Sequence, residues 1–229
     1  MNSPTTLSEP AADTLPAVAF IDRSLTKRFR KVLITGLGRS GTSAVAALLR
    51  SCDFYFGEDA GQIVIESPTM LKLAAAGETD ALRAQLDAWY QSHPRIAWKD
   101  PKLYARGAQF VESLPDDWLV IVTFRDPASI AMRRVFSDKV DFVNSLRHCI
   151  LHQGRLCEFA ANVNKSVLWV SYERFMLEPE ATLGELMARL DLGEHVPPSP
   201  QELQEEMLGH RQAYRDKHDA KAQRGDAGT

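Results

Sequence analysis

The chain has 229 residues, of which 45% are hydrophobic and 25% are charged, a balance that excludes disordered, collagen-like and membrane-embedded proteins. Its formal net charge of −3 lacks the basic excess of a general nucleic-acid binder, so we expect no nucleic-acid partner. Three cysteines without a CxxC pair predict neither a disulfide framework nor a zinc site, and with no signal peptide or membrane span expected, they indicate a cytoplasmic protein.

The composition divides the chain into one long central part and two polar ends. Residues 1–16 are rich in Ser, Thr, Pro and Ala and predict a flexible leader. Residues 217–229 are polar and predict a flexible tail. We therefore expect a single α/β domain over residues 17–216.

Short apolar runs alternate with longer amphipathic stretches along the central part. The runs are continuous, which is typical of strands covered on both faces in a parallel sheet. Strands are predicted at residues 31–35, 95–99, 118–124 and 166–171, and helices at residues 41–52, 104–113, 127–137, 139–164 and 179–190. Strands separated by helices predict a three-layer α/β domain with a central, mainly parallel sheet flanked by helices.

A glycine-rich loop lies between the first predicted strand and the helix after it. The loop comprises Gly38, Arg39, Ser40, Gly41, Thr42 and Ser43. Its glycines allow a tight turn and the N–H groups at the helix start form an anion site, so the loop predicts phosphate binding in a P-loop-type domain. Thr42 stands where a Walker A loop has lysine, which disfavours a bound γ-phosphate and leaves Arg39 as the loop's cation. The alternative is a glycine turn that only joins strand to helix.

Charged and aromatic residues stand near the ends of other predicted strands or before a helix. They are Glu66 in residues 63–71, Lys99 and Asp100 in residues 98–103, Arg125 in residues 122–127, and Tyr172 in residues 168–183. Ligands of open α/β sheets gather at the carboxyl ends of the strands. Each residue also has a structural interpretation: Glu66 as a helix cap, Lys99 as a solvated charge, and Arg125 as a partner of its neighbouring aspartate.

From about residue 31 to residue 192, these segments follow one another as in sulfotransferases that use 3′-phosphoadenosine 5′-phosphosulfate (PAPS), and the chain resembles the bacterial type of that family. The resemblance implies PAPS as co-substrate and no metal. It implies that the loop binds the 5′-phosphosulfate, with hydrogen bonds from Thr42 and Ser43, that Arg125 binds the 3′-phosphate, and that Tyr172 approaches the adenine. The family usually has a serine eight residues after this arginine, where Arg133 stands here, so the second 3′-phosphate ligand is open.

The same resemblance assigns the chemistry to four residues. Arg39 neutralises charge on the leaving phosphate, and Lys99 stabilises the sulfuryl group in transfer. Glu66 or Asp100 takes the proton of the acceptor. The acceptor is expected to be a hydroxyl, or an amine, of a glycan or small molecule. The alternatives are a P-loop kinase, which Thr42 disfavours, and a non-catalytic nucleotide-binding module with the same fold.

Overall fold

The computed structural model describes residues 18–23, 28–106, 108–193, 199, 201, 202 and 205. The strands are β1 Val18–Ile21, β2 Lys31–Gly36, β3 Ile96–Lys99, β4 Trp118–Phe124 and β5 Ser166–Ser171. The helices are α1 Thr42–Ser51, α2 Pro68–Ala76, α3 Thr79–Ser92, α4 Leu103–Arg106, α5 Gln109–Glu112, α6 Pro127–Asp138, α7 Phe142–Asn162, α8 Tyr172–Leu177 and α9 Pro179–Met187. Within the described ranges, no helix has the length and apolar character needed to cross a bilayer. The predicted leader and tail lie outside these ranges.

The five strands form one sheet in the order β1-β5-β4-β2-β3. Strands β2, β3, β4 and β5 run parallel, and β1 pairs antiparallel with β5 at one edge. The first six residues of β4 are buried, as expected for a strand covered on both faces. The predicted central, mainly parallel sheet flanked by helices is confirmed.

Each face of the sheet carries its own apolar core. On β2, Val32 and Ile34 belong to the core that also contains residues of α1 and α9. Leu33, which points the other way because side chains alternate along a strand, belongs to the core that contains residues of α3 and α7. The molecule therefore has three layers, with helices on both sides of the sheet.

Two predicted helices differ from the structure. The single helix predicted at residues 104–113 is wrong: α4 and α5 are short and separate, and the glycine at position 107 between them, which lies outside the described residues, is a poor helix former. The helix predicted at residues 179–190 ends at Met187. Leu190 instead forms a parallel bridge with Phe29, so pairing with a distant segment decides the end of α9.

Candidate functional site

The candidate site lies at the edge of the sheet where the four parallel strands end. Ile34 of β2 is in register with Lys99 of β3, and Gly36 is in register with Thr123 of β4. The strand ends therefore lie side by side, and the segments that follow them meet. This is the edge at which open α/β sheets bind their ligands.

A pair of hydroxyl groups holds the glycine-rich loop against β4. Ser40 Oγ lies 2.6 Å from Thr123 Oγ1, and Ser40 is only 1% exposed. Gly36 has a φ of 152°, and a Cβ there would lie 2.3 Å from Thr123 Oγ1, so the loop needs glycine at this close approach. The Ser40 side chain therefore shapes the loop from inside, whereas Gly38 is exposed and a Cβ there would meet no atom within 4 Å.

The start of α1 offers backbone N–H groups to a ligand. Its N-cap is Gly41, with a φ of 100° and no side-chain capping bond. The Ala44 N–H donates to the Gly41 carbonyl at 2.9 Å, which leaves the N–H groups of Thr42 and Ser43 ahead of the intrahelical bonds. Uncapped N–H groups at a helix start attract anions, in line with the predicted phosphate loop.

Arg39 turns from the loop towards α6. Its φ of 74° is in the left-handed region, which is uncommon for a residue with a side chain. Arg39 Nη2 lies 2.9 Å from Asp138 Oδ1. Burial raises the pKa of Asp138, but a hydrogen bond from Ser137 and the charge of Arg39 outweigh it and hold the pKa below its usual value. The loop arginine is thus ion-paired in this conformation.

Lys99 is the central charged group of the site. It is 1% exposed, and its Nζ lies 2.7 Å from Ser43 Oγ and 3.0 Å from Glu66 Oε1. It also donates to the Val64 carbonyl. Burial lowers the pKa of Lys99, although the carboxylate of Glu66 opposes this effect. Lys99 is therefore in contact with both Glu66 and Ser43 of the loop, and it is buried and not a solvated surface lysine.

Glu66 does not cap the helix that follows it. The N-cap of α2 is Ser67, whose Oγ accepts a hydrogen bond from the Met70 N–H at 3.2 Å, and Pro68 is the first helical residue. The Glu66 side chain does not cap α2 and instead forms an ion pair with Lys99. The structure therefore excludes the helix-cap interpretation of Glu66, and its role as the base stays a prediction.

Asp100 is bonded to the turn of chain that follows it. It is 1% exposed; its Oδ2 lies 2.7 Å from Arg106 Nε, and its Oδ1 accepts from the Lys102 N–H at 2.8 Å. Both carboxylate oxygens are thus engaged by the segment that leads into α4. This arrangement favours a structural role for Asp100.

Arg125 connects β4, the loop and α8. Its Nη1 donates to the Arg39 carbonyl at 3.0 Å, and its Cζ lies 4.6 Å from the centre of the Tyr172 ring. Its Nε is buried and makes no hydrogen bond, but it forms an ion pair with Glu173 Oε1 at 3.7 Å. The Tyr172 ring in turn covers Gly41, where a Cβ would lie 2.3 Å from Tyr172 Cδ2. Arg125 therefore presents a buried, unsatisfied donor next to the loop.

Arg133 lies two turns into α6 and is partly exposed. Its backbone carbonyl accepts a hydrogen bond from Ser137 Oγ at 2.9 Å. Asp126, at the start of the same helix, is the N-cap of α6 and accepts from the Ser129 N–H at 2.7 Å, which lowers the pKa of Asp126. The structure thus leaves the second 3′-phosphate ligand open.

The sequence did not indicate several partners of these residues. Thr123, Asp138 and Glu173 each meet a predicted site residue from a distant position in the chain. Contacts of this kind have no local sequence signal. In the described part of the chain, His, Cys, Asp and Glu side chains form no group of three or more that could hold a metal ion.

No family model matches the chain, and no curated protein matches its sequence. Among solved structures, one match is the sulfotransferase domain from the Synechococcus PCC 7002 olefin synthase. It has 14% sequence identity and a TM-score of 0.41, and the alignment covers 85% of this chain and 98% of that domain.

Proposed function

We propose that this protein is a sulfotransferase that moves a sulfuryl group from PAPS to a hydroxyl, or an amine, of a glycan or small-molecule acceptor. The observation that carries the proposal is the position of Lys99. Its buried ammonium lies 2.7 Å from Ser43 in the phosphate loop and 3.0 Å from the carboxylate of Glu66. A fixed cation between an anion site and a potential base suits transfer of a sulfuryl group from a phosphosulfate anhydride.

The residues at the loop fit the phosphates of the nucleotide. The N–H groups of Thr42 and Ser43 at the uncapped start of α1 suit the 5′-phosphate. The guanidinium of Arg125 suits the 3′-phosphate, since its buried Nε makes no hydrogen bond and has only a long ion pair with Glu173, at 3.7 Å, while a phosphate oxygen accepts charge-assisted hydrogen bonds. Tyr172, which packs on both Gly41 and Arg125, offers a ring beside the loop for the adenine.

The proposed transfer is an in-line displacement in which the acceptor oxygen bonds to sulfur as the bond from sulfur to the phosphate oxygen breaks. Glu66 takes the proton of the acceptor hydroxyl, and the neighbouring Lys99 stabilises the carboxylate before it does so. All three donors of the Lys99 ammonium are occupied, so Lys99 gives up an existing partner when it reaches a sulfuryl oxygen. Arg39 likewise exchanges Asp138 for the leaving phosphate.

A thermal-shift comparison tests the nucleotide assignment. The product nucleotide, 3′-phosphoadenosine 5′-phosphate, is expected to raise the Tm of the full chain in the presence of a metal chelator, because a ligand that binds the native state stabilises it. ATP with magnesium serves as the comparison and is expected to have much less effect. Stabilisation by ATP with magnesium alone favours a kinase and overturns the proposal.

A further inference from the structure

Two histidines outside the proposed catalytic residues form a compact pair on α7. His148 and His152 are one turn apart, with ring centres separated by 4.1 Å and planes inclined by 40°. The Tyr104 hydroxyl of α4 lies 2.9 Å from His152 Nδ1. Arg155 lies on the same face of α7, seven residues after His148, and the charge of Arg134 from α6 also acts on both rings. We call these four residues the α7 cationic cluster.

Contacts at both ends place this cluster beside the candidate site. Tyr104 lies in α4, directly after the segment that carries Lys99 and Asp100. Gln153, the residue after His152, donates through Nε2 to the Arg125 carbonyl at 2.5 Å. The cluster is therefore next to the ends of β3 and β4, at the edge of the sheet where the phosphate loop lies.

The cluster is also linked to the loop by charge. Arg134 Nε lies 4.0 Å from Asp138 Oδ2, and Asp138 Oδ1 lies 2.9 Å from Arg39 Nη2. Asp138 is thus shared between the loop and the cluster, and its charge is largely balanced by these two arginines. His148 and Arg155 are exposed, so a dissolved ligand reaches the cluster from solvent.

The charges that act on the two imidazole rings are positive. Burial lowers the pKa of both rings first; Arg134 and Arg155 lower both further, and His152 also lowers that of His148. The other packed elements contribute the neutral hydroxyl of Tyr104 from α4 and the already paired Asp138 from α6. The positive charges of Arg134 and Arg155 thus disfavour the imidazolium forms, and an anion bound beside the rings would favour them.

We propose that the α7 cationic cluster binds an anionic group of the acceptor, a sulfate, phosphate or carboxylate, while the loop holds the nucleotide. The inference deepens the proposed function and rests on it for the identity of the anion as part of the acceptor. Two arginines and two imidazoles supply donors of the kind that bind tetrahedral anions and carboxylates. The predicted acceptor is accordingly narrowed to an acidic glycan or an acidic small molecule.

A metal ion is the other ligand that paired histidines at positions i and i+4 can hold. Here Tyr104 occupies His152 Nδ1, and Arg134 and Arg155 repel a cation. Carboxylate or cysteine ligands to complete such a site are not grouped with the pair in the described ranges. These observations favour an anion.

The test uses the histidine ring signals in NMR spectra of the full-length protein saturated with 3′-phosphoadenosine 5′-phosphate, which fills the loop. The pH is varied in separate series that contain sodium phosphate, sodium sulfate or sodium acetate, and the titration midpoint of each ring is measured. Sodium chloride keeps the ionic strength the same in all series. We expect the oxyanions to move the midpoints of His148 and His152 to higher pH in a saturable way, because an anion favours the imidazolium form. His93, which stacks on Tyr55 before β3, is the internal reference and is expected not to move.

A matched pair of variants locates the anion. Arg155→Gln is expected to weaken phosphate binding about tenfold, the scale of one charge-assisted contact. Arg147→Gln removes an equal charge from an exposed position of α7 that lies off the helix face shared by His148, His152 and Arg155, and it is expected to leave binding unchanged. Equal weakening in both variants indicates an adventitious ion only and overturns the proposal.

The remaining outcomes are also decisive. No oxyanion-dependent shift overturns the anion site, and a shift caused by zinc in place of phosphate assigns the pair to a metal. A shift of both midpoints on adding the nucleotide alone assigns the cluster to the nucleotide and overturns a separate acceptor subsite. If the nucleotide fails to bind, the proposed function fails, whereas the oxyanion titration of the free protein still shows whether the cluster is an anion site.

Discussion

Lys99 Nζ lies 2.7 Å from Ser43 Oγ, and this contact joins the end of β3 to the first turn of α1. Strand β3 is the neighbour of β2, the strand that leads into α1, and the two residues are 56 positions apart in the chain. Because Lys99 is 1% exposed, its charge depends on Ser43, Val64 and Glu66 for the polar contacts that water would otherwise supply. The chain thus maintains a desolvated cation next to its phosphate loop.

Replacing Lys99 is expected to remove activity in addition to stability. Lys165 is a matched control, because it is also 1% exposed and ion-paired, with its Nζ 3.1 Å from Asp116 Oδ1, but it precedes β5 at the opposite edge of the sheet. Lys99→Met and Lys165→Met are each expected to lower the free energy of unfolding by about 1–3 kcal/mol in urea titrations. Only Lys99→Met is expected to slow single-turnover sulfuryl transfer, by about a hundredfold or more.

Equal transfer rates in the two lysine variants would contradict a catalytic role for Lys99. If the two variants transfer sulfuryl at the same rate per folded molecule, Lys99 is a buried structural lysine like Lys165. The site would then have to supply its cation from Arg39 or Arg125.

The parallel sheet and the place of the glycine-rich loop between β2 and α1 were predictable because their signals are local. Continuous apolar runs indicated the parallel strands, and a glycine-rich segment directly after a strand indicated the loop at β2. Strand β1 was not predicted, since four residues at an antiparallel edge make a weak pattern. Helix α3 has apolar residues at Leu82, Leu86 and Trp89 on one face, a helical spacing that was present in the sequence but not used.

The partners of the site residues could not be predicted in the same way. Arg39 meets Asp138 across 99 positions, and Arg125 meets Glu173 across two different strand ends. Such pairs depend on the order of strands in the sheet, which a single sequence does not reveal. The same holds for the α7 cationic cluster, where Tyr104 and His152 are 48 positions apart.

Arg125 is expected to distinguish nucleotides by their 3′-phosphate. Arg125→Ala is expected to weaken binding of 3′-phosphoadenosine 5′-phosphate by about 1.5–3 kcal/mol, the cost of losing a charge-assisted hydrogen bond. The affinity for adenosine 5′-phosphate is expected to fall much less in the same variant. Isothermal titration calorimetry measures both affinities. Equal losses for both nucleotides mean that Arg125 acts through the Arg39 carbonyl and the loop. Arg133→Ala, measured in parallel, shows whether Arg133 is the second 3′-phosphate ligand.

Gly41 is expected to be the least replaceable residue of the loop. Gly41→Ala forces a Cβ to within 2.3 Å of Tyr172 Cδ2 and strains a φ of 100°, so the free energy of unfolding is expected to fall by about 1–3 kcal/mol. Gly38→Ala is the control, because its Cβ meets nothing within 4 Å. Urea unfolding of both variants measures the difference. Equal stability of the two would show that the Tyr172 ring moves aside at little cost.

The histidine pair is expected to make the protein less stable in acid. The pKa values of His148 and His152 are lowered in the folded state, first by burial and then by nearby cations. Between those lowered values and the ordinary value near 6.5, the unfolded chain binds more protons, so the free energy of unfolding rises with pH in that window and levels off below it. The double variant His148→Gln, His152→Gln is expected to show a shallower dependence in urea titrations than His93→Gln. If the free energy of unfolding depends on pH equally in the double variant and in His93→Gln, the lowered pKa values of His148 and His152 are contradicted.

The two carboxylates of the site are expected to separate into a base and a structural group. Glu66 Oε1 touches Lys99 and the side chain is partly exposed, whereas both oxygens of Asp100 are held by Arg106 and the Lys102 N–H in a buried position. Loss of a general base typically costs about 10²–10⁴-fold in rate. Glu66→Gln is therefore expected to lower kcat by at least about a hundredfold with nucleotide affinity nearly unchanged.

Asp100→Asn is expected to lower the free energy of unfolding by about 1–3 kcal/mol, because an amide replaces one of the two engaged carboxylate oxygens, and to keep turnover per folded molecule. Single-turnover transfer of labelled sulfuryl from PAPS, with an acceptor obtained from a product screen, measures both variants. Near-normal turnover in Glu66→Gln removes Glu66 from the mechanism. If Asp100→Asn then loses turnover while remaining folded, Asp100 is the base, and the Arg106 contact orients it for that role.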